Sequence, residues 1–188
     1  MSVARVEQPH SRDELLQAFE EQERASLDYW SAFDTASFFR PLGKAWSPAE
    51  NVRHLTKSTR PVVKALKLPR FVSRLLFGKP RRASLTYEQL RTRYAEALAE
   101  GGQAGRFAPS AQREADLDAW RESILRHFTS VNRDLRVAIA RWPDPSLDSA
   151  QLPHPLLGKL TVREMLFFTL YHSRHHIAVA ERRRTEQP

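Results

Sequence analysis

Residues 161–179 read TVREMLFFTLYHSRHHIAV, and the spacing within them decides the fold. Thr161 and Glu164 stand three apart as a capping box does, with the threonine accepting from the fourth amide and the glutamate reaching back. Behind this start, Met165, Phe168, His172, His176 and Val179 recur at three- and four-residue steps, so they share one face of a helix. That helix is expected to run to about Arg183. Two of the five stripe positions are histidines, where the periodicity asks for apolar side chains.

Working outward, the same signals recur. Ser11 and Glu14 form a box ahead of Leu16, Phe19, Glu23, Leu27, Trp30 and Phe33, which predicts a first helix over about 12–34. Ser47-Pro48-Ala49-Glu50 is a further box, with proline at the first helical position where no donor is needed. The second helix therefore starts at Pro48, and Pro61 is expected to end or kink it. Leu117, Trp120, Ile124, Phe128, Val131, Leu135, Ala138 and Trp142 form an unbroken seam, a third helix of roughly seven turns stopped by Pro143. Between Arg60 and about Ser110 the chain is punctuated by proline and glycine, with one helical insert near 87–99 opened by Thr86 and closed by Gly101-Gly102. No internal repeat or alternating, strand-like segment stands out. The class is therefore all-α: a four-helix bundle in which the long second connection lets helices two and three run parallel, up-down-down-up, with a short extra helix in the crossover.

Composition narrows the function. The 188 residues, 41% of them hydrophobic, suit one domain over 1–188 with a full core. There is no cysteine, which removes disulfides, cysteine-ligated zinc, iron–sulfur clusters and a protein thiol nucleophile. The beginning, MSVARVEQPHSRDE, has no apolar segment of the signal type, and MLFFTLY at 165–171 is far too short to span a membrane. A cytoplasmic protein is expected. Lys and Arg outnumber Asp and Glu by 30 to 22. The basic residues fall in KPRR at 79–82 and ERRR at 181–184, with acidic residues on the same helices rather than in one stripe interleaved with aromatics, which weighs against nucleic acid.

The chemistry rests on histidine. Side chains at i and i+4 stand about 5–6 Å apart on one helix face, so His172 and His176 can converge on one divalent ion at nitrogen distances of about 2.0–2.1 Å. His54, inside the well-capped second helix, can supply a third imidazole from the facing element and leave room for water or substrate. Two alternatives stay open on the residues alone. The helical pair can be a hydrogen-bonded core pair without metal, and His175 can replace His176 through i,i+3 geometry. His127, near the inward edge of the third helix, reads as a bundle histidine rather than a ligand. His10 and His154 fall in expected loops and read as solvent-exposed. Glu50 is the one carboxylate close to His54 along its helix, a candidate catalytic base whose capping role competes for it. There is no HExxH, GxSxG or glycine-rich phosphate loop, and the only Glu-x-x-His spacing, Glu7 to His10, precedes the first helix, so a di-iron bundle is not supported.

AWSPAENVRHL at 45–55 and PHPLLGKLTVREMLFFTLYHSRHH at 153–176 resemble the two motif regions of the DinB/YfiT-like family, and the order of helices extends the resemblance over most of the chain. The resemblance implies a three-histidine site for zinc or nickel, with His54, His172 and His176 at the matching positions. Members often carry glutamine shortly after the last ligand, where this chain has Val179. Members of assigned activity resemble thiol S-transferases and thiol-dependent isomerases, in which the metal activates a low-molecular-weight thiol toward a small electrophilic substrate.

Three functions follow as expectations. The first is a metal-dependent transferase or isomerase whose thiol, in a chain without cysteine, is a cosubstrate. The second is a metal-dependent hydrolase, with Glu50 the nearby carboxylate. The third is a non-enzymatic metal-binding module that serves in stress or in meeting an acidic partner. Exposed bundle faces are compatible with a homodimer.

Overall fold

The computed structural model describes residues 8–110 and 114–186. Its helices are α1 (Arg12–Ser31), α2 (Thr35–Phe39), α3 (Pro48–Lys67), α4 (Arg70–Phe77), α5 (Tyr87–Ala99), α6 (Leu117–Ala140) and α7 (Val162–Thr185), joined by a two-stranded hairpin of β1 (Gln151–His154) and β2 (Gly158–Thr161). The class is mostly helical, and among the described residues no helix is long and apolar enough to cross a membrane.

Each helix start has a local cause. Ser11, Ser47, Thr86 and Thr161 all close capping boxes with Glu14, Glu50, Gln89 and Glu164, which satisfies two of the amides a helix start leaves unpaired. Pro61 does not end α3, which continues to Lys67. The crossover between α3 and α6 contains α4 as well as the expected α5. Pro69 and Gly78 flank α4 as N-cap and C-cap. The proline and glycine expected to punctuate a loop here bound a short helix instead.

Four long helices pack on one another. Arg53 lies over the Trp120 ring, Lys67 pairs with Asp134 at 2.9 Å, and Trp142 Nε1 donates to the Leu66 carbonyl at 3.0 Å, so α3 and α6 meet along their lengths. From α1, Glu23 pairs with Arg136 of α6. Arg163 and Arg174 of α7 reach back to the His10 carbonyl and to Gln22, and Arg184 lies over Phe33. Two apolar clusters fill the interior. The larger runs from Leu15 and Phe19 through Leu66, Leu135 and Leu166 to Leu170, and the smaller gathers Trp30, Phe38, Leu55, Ile124 and Phe128.

The hairpin is a departure from the all-helical expectation. Leu152 pairs with Leu160 and His154 with Gly158, and Leu152, His154 and Leu160 are all buried, the period of two that one face of a sheet requires. Gly158, at φ 72°, takes the left-handed conformation that this turn needs and that other residues resist. Behind it, the start of α7 is tied to the crossover by Glu164. This fully buried carboxylate accepts from the Leu85 amide at 2.6 Å and the Thr161 amide at 2.8 Å, and it pairs with Arg82 through both oxygens.

Candidate metal centre

α3 and α7 face each other so that His54, His172 and His176 form a group in which one ligand-capable ring nitrogen of each lies within 4.8 Å of the others. His172 Nε2 sits 3.1 Å from His54 Nε2 and 3.1 Å from His176 Nε2. The rings are enclosed. Trp46 packs against His54 at 4.9 Å between centroids and stacks on His176 at 6.0 Å, while Phe168 stacks on His172 at 5.0 Å.

The outer nitrogens determine what the inner ones can do. His54 Nδ1 meets the Phe107 carbonyl at 2.9 Å. A carbonyl only accepts, so this nitrogen carries the proton, and the Nε2 of neutral His54 is left as a lone pair. His176 Nδ1 meets Asn51 Oδ1 at 2.7 Å. The orientation of that amide is fixed because Asn51 Nδ2 donates to the Ser47 carbonyl at 2.9 Å and the Trp46 carbonyl at 3.1 Å, so His176 Nε2 is a lone pair too.

Burial keeps the rings neutral. It lowers the pKa of His54, holds that of His172 well below the ordinary value with help from the neighbouring histidines, and brings His176 down to about 3 with His54 and His175 adding to the effect. His172 Nε2 carries at most one hydrogen, which can satisfy only one of its two neighbours. With that hydrogen on Nε2, one neighbour's lone pair is left facing no proton, and with it on Nδ1 all three nitrogens turn lone pairs toward one another; in a site shielded from water either arrangement costs free energy unless a cation lies between them. Two nitrogens on a tetrahedral zinc ion stand about 3.3 Å apart, from bond lengths of about 2.0–2.1 Å. The 3.1 Å contacts are close to that spacing, so the residues fit a divalent ion.

The other histidines are placed elsewhere. His175 sits among Tyr94, Tyr171 and His176 at centroid distances of about 6 Å and is not in the three-histidine group. His127 is exposed rather than turned into the bundle, and its Nδ1 meets the Ser123 carbonyl one turn back at 3.0 Å. His10 is exposed as expected. His154 is not in an exposed loop: it is 8% exposed on β1, and the expectation failed because Pro153 and Pro155 hid the strand's alternation. Glu50 is held in the α3 cap, its Oε2 accepting from the Ser47 amide at 2.8 Å and the Ser47 hydroxyl at 3.0 Å.

Beside the histidines lies a cavity of about 350 Å³. Val62, Leu98, Leu152, Leu156, Met165 and Phe168 supply much of its apolar wall, exposed Gln103 and Arg106 also line it, and among the described residues none that lines it is Asp or Glu. The partners that reasoning from the residues missed are the Asn51 amide and the Phe107 carbonyl. Asn51 carried a local signal, standing three residues before His54 on a capped helix. Phe107 carried none, since a backbone carbonyl from a distant turn leaves no trace in side-chain pattern.

The sequence model of the DinB superfamily matches residues 11–180. No curated protein and no solved structure gives a significant match.

Proposed function

This chain belongs to the DinB superfamily, and from that premise we propose that it is a cytoplasmic metal-dependent enzyme of one domain whose divalent ion, zinc or nickel, is held by His54, His172 and His176. The observation that carries the reading is the pair of outer hydrogen bonds, from His54 to Phe107 and from His176 to Asn51. They aim two lone pairs at one point, as partners behind metal ligands do. The scaffold is read as an up-down-down-up four-helix bundle, since Arg53–Trp120 and Lys67–Asp134 follow the same order along α3 and α6, whereas Asn51–His176 and His54–His172 reverse it between α3 and α7.

Bound there, such an ion supplies a Lewis-acid position that lowers the pKa of a thiol or a water. We favour a low-molecular-weight thiol as cosubstrate, with group transfer to, or isomerisation of, a small electrophile. Two features support this over hydrolysis. The protein has no cysteine of its own, and no carboxylate is found among the described residues lining the cavity while Glu50 is engaged in its cap, so no carboxylate is placed to act as general base for water. The chain's part is to hold three neutral imidazoles, to exclude bulk water with Trp46 and Phe168, and to offer the organic part of the substrates an apolar wall.

The test begins with reconstitution. Zinc, nickel or cobalt should bind at about one equivalent per chain. His54→Ala, His172→Ala and His176→Ala should each abolish tight binding with little loss of helical signal, while His175→Ala retains it. Adding a low-molecular-weight thiol to the cobalt form should produce a sulfur-to-cobalt charge-transfer band. Less than about a tenth of an equivalent after reconstitution counts against the site. An unchanged cobalt spectrum at millimolar thiol, with the site loaded, removes the thiol reading.

A further inference from the structure

The cavity beside the three histidines has its own polar chemistry. His154 Nδ1 accepts from two backbone amides, Leu156 at 3.2 Å and Leu157 at 3.0 Å. A nitrogen that accepts twice carries no proton, so neutral His154 has its hydrogen on Nε2, at the opposite edge of the ring. Burial lowers the pKa of this histidine to about 4, so the ring is neutral near pH 7. His154 lines the cavity, and its Nε2 has no hydrogen-bond partner among the described residues. That N–H is left available to an acceptor placed in the cavity.

Tyr94 repeats the pattern from another element. Its ring is 6% exposed, it lines the same cavity, and its hydroxyl also has no partner among the described residues. Burial pushes its pKa up to about 12, so it keeps its proton and can donate. The two rings stand edge-on to Phe168, His154 at 4.2 Å and Tyr94 at 5.0 Å between centroids, and Phe168 in turn stacks on His172. Two donors thus flank one apolar floor next to the candidate metal centre.

Resting on the reading of that centre as the place of reaction, we propose that the cavity binds an apolar-bodied molecule carrying an oxygen acceptor, a carbonyl, which His154 Nε2–H and the Tyr94 hydroxyl hold beside the three histidines. Cationic substrates are excluded, because no lining carboxylate offsets the loss of their hydration. Arg106 supplies the one formal charge among the described lining residues, and it is exposed. The occupant's volume is limited by the roughly 350 Å³ of the cavity, which suits a single substituted ring or a short branched chain.

The probes are acetophenone and its carbon analogue ethylbenzene, titrated into full-length 15N-labelled protein in metal-free and zinc-loaded forms, with histidine ring nitrogens followed by long-range 1H–15N correlation. The His154 signals should show the proton on Nε2. Acetophenone should move that proton's resonance downfield, and ethylbenzene should enter the cavity without doing so. His154→Phe should weaken acetophenone about fivefold relative to ethylbenzene, as expected for one lost hydrogen bond. Because that variant also removes the acceptor for Leu156 and Leu157, Tyr94→Phe, which leaves the hairpin intact, should weaken the same ratio about threefold.

A proton found on Nδ1 of His154, an affinity ratio unchanged in both variants, or no binding of either probe overturns the proposal. The metal-free arm keeps the two readings apart. Carbonyl discrimination in a protein that takes up no zinc sinks the metal centre alone, whereas zinc uptake with no discrimination sinks this proposal alone.

Discussion

Replacing Asn51 by leucine keeps the branching of the side chain and removes what it does for His176. The Nδ1–H of His176 loses an acceptor at 2.7 Å, and the proton is then free to move to Nε2, the nitrogen that must be bare to bind a cation. Loss of a hydrogen bond behind a metal-binding histidine costs about 10–100-fold in affinity, equivalent to about 1.4–2.7 kcal/mol. The structural cost is smaller than the number of lost bonds suggests. The Ser47 carbonyl still accepts from the Asn51 backbone amide at 3.0 Å, so the Trp46 carbonyl and the His176 N–H are the groups left short, at about 1–3 kcal/mol for a buried unpaired group. Zinc affinity is measured by competition with a chromophoric chelator, and the fold by far-UV circular dichroism on heating. Asn51→Leu should bind zinc 10–100-fold more weakly while remaining helical. Asn51→Asp, which keeps an acceptor for the His176 N–H, should recover most of the affinity. Arg53→Ala, which lies on the same helix but contacts Ser110 and Trp120, should change nothing. Zinc affinity within threefold of the original in a folded Asn51→Leu protein would refute the tautomer argument.

Other perturbations probe the frame. Glu164→Gln leaves Arg82 without its counterion beside a buried group that also serves two amides. Because the Arg82 side chain is 42% exposed, the charge left behind stays partly hydrated and the loss is about 1–3 kcal/mol, seen in thermal denaturation as a fall of about 2–10 °C; no measurable fall would show that the pair contributes little. Acid should destabilise the metal-free protein. Burial depresses the pKa values of His154 and His176 to about 4 and about 3, so as pH falls below about 6.5 the unfolded chain takes up protons that the folded one refuses. Stability is then fully present above pH 6.5 and declines toward pH 4 by up to about 1.4 kcal/mol per pH unit for each such histidine. In urea denaturation across that range, His154→Phe should show a slope shallower by about one proton, and an identical slope would contradict the burial of a neutral ring.

What could be read ahead of the structure follows how local each cause is. The four capping boxes and the histidine stripe of α7 lie within spans of three to four residues, and their signals survive in the sequence as written. The α6 seam showed for the same reason, although His127 adjoins Phe128 on a helix whose buried stripe is narrow, and it turned out exposed. Reading failed where a contact depends on distant chain segments closing up. The Phe107 carbonyl lies 53 residues from His54, and Asn51 is 125 residues from His176. His154 and Tyr94 became cavity residues only when the hairpin and α5 folded against α7. Pro153 hid the hairpin because it lacks an amide proton, yet it sits at an outward, exposed position of β1 where proline is tolerated. Likewise α4 was obscured by the proline and glycine that begin and end it.

The Phe107 carbonyl has a double allegiance. It belongs to the 3-10 turn Gly105–Phe107, whose residues Arg106 and Phe107 line the cavity, and it also anchors the ring of His54. A displacement of this turn that widens the cavity must stretch the bond that holds His54 in its metal-ready tautomer. Widening and ion retention are therefore thermodynamically linked, and linkage is reciprocal. An ion that favours the anchored His54 favours the closed turn, and an occupant that wedges the turn outward loosens the ion by the same factor. The cavity wall doubles as a latch on the centre it encloses.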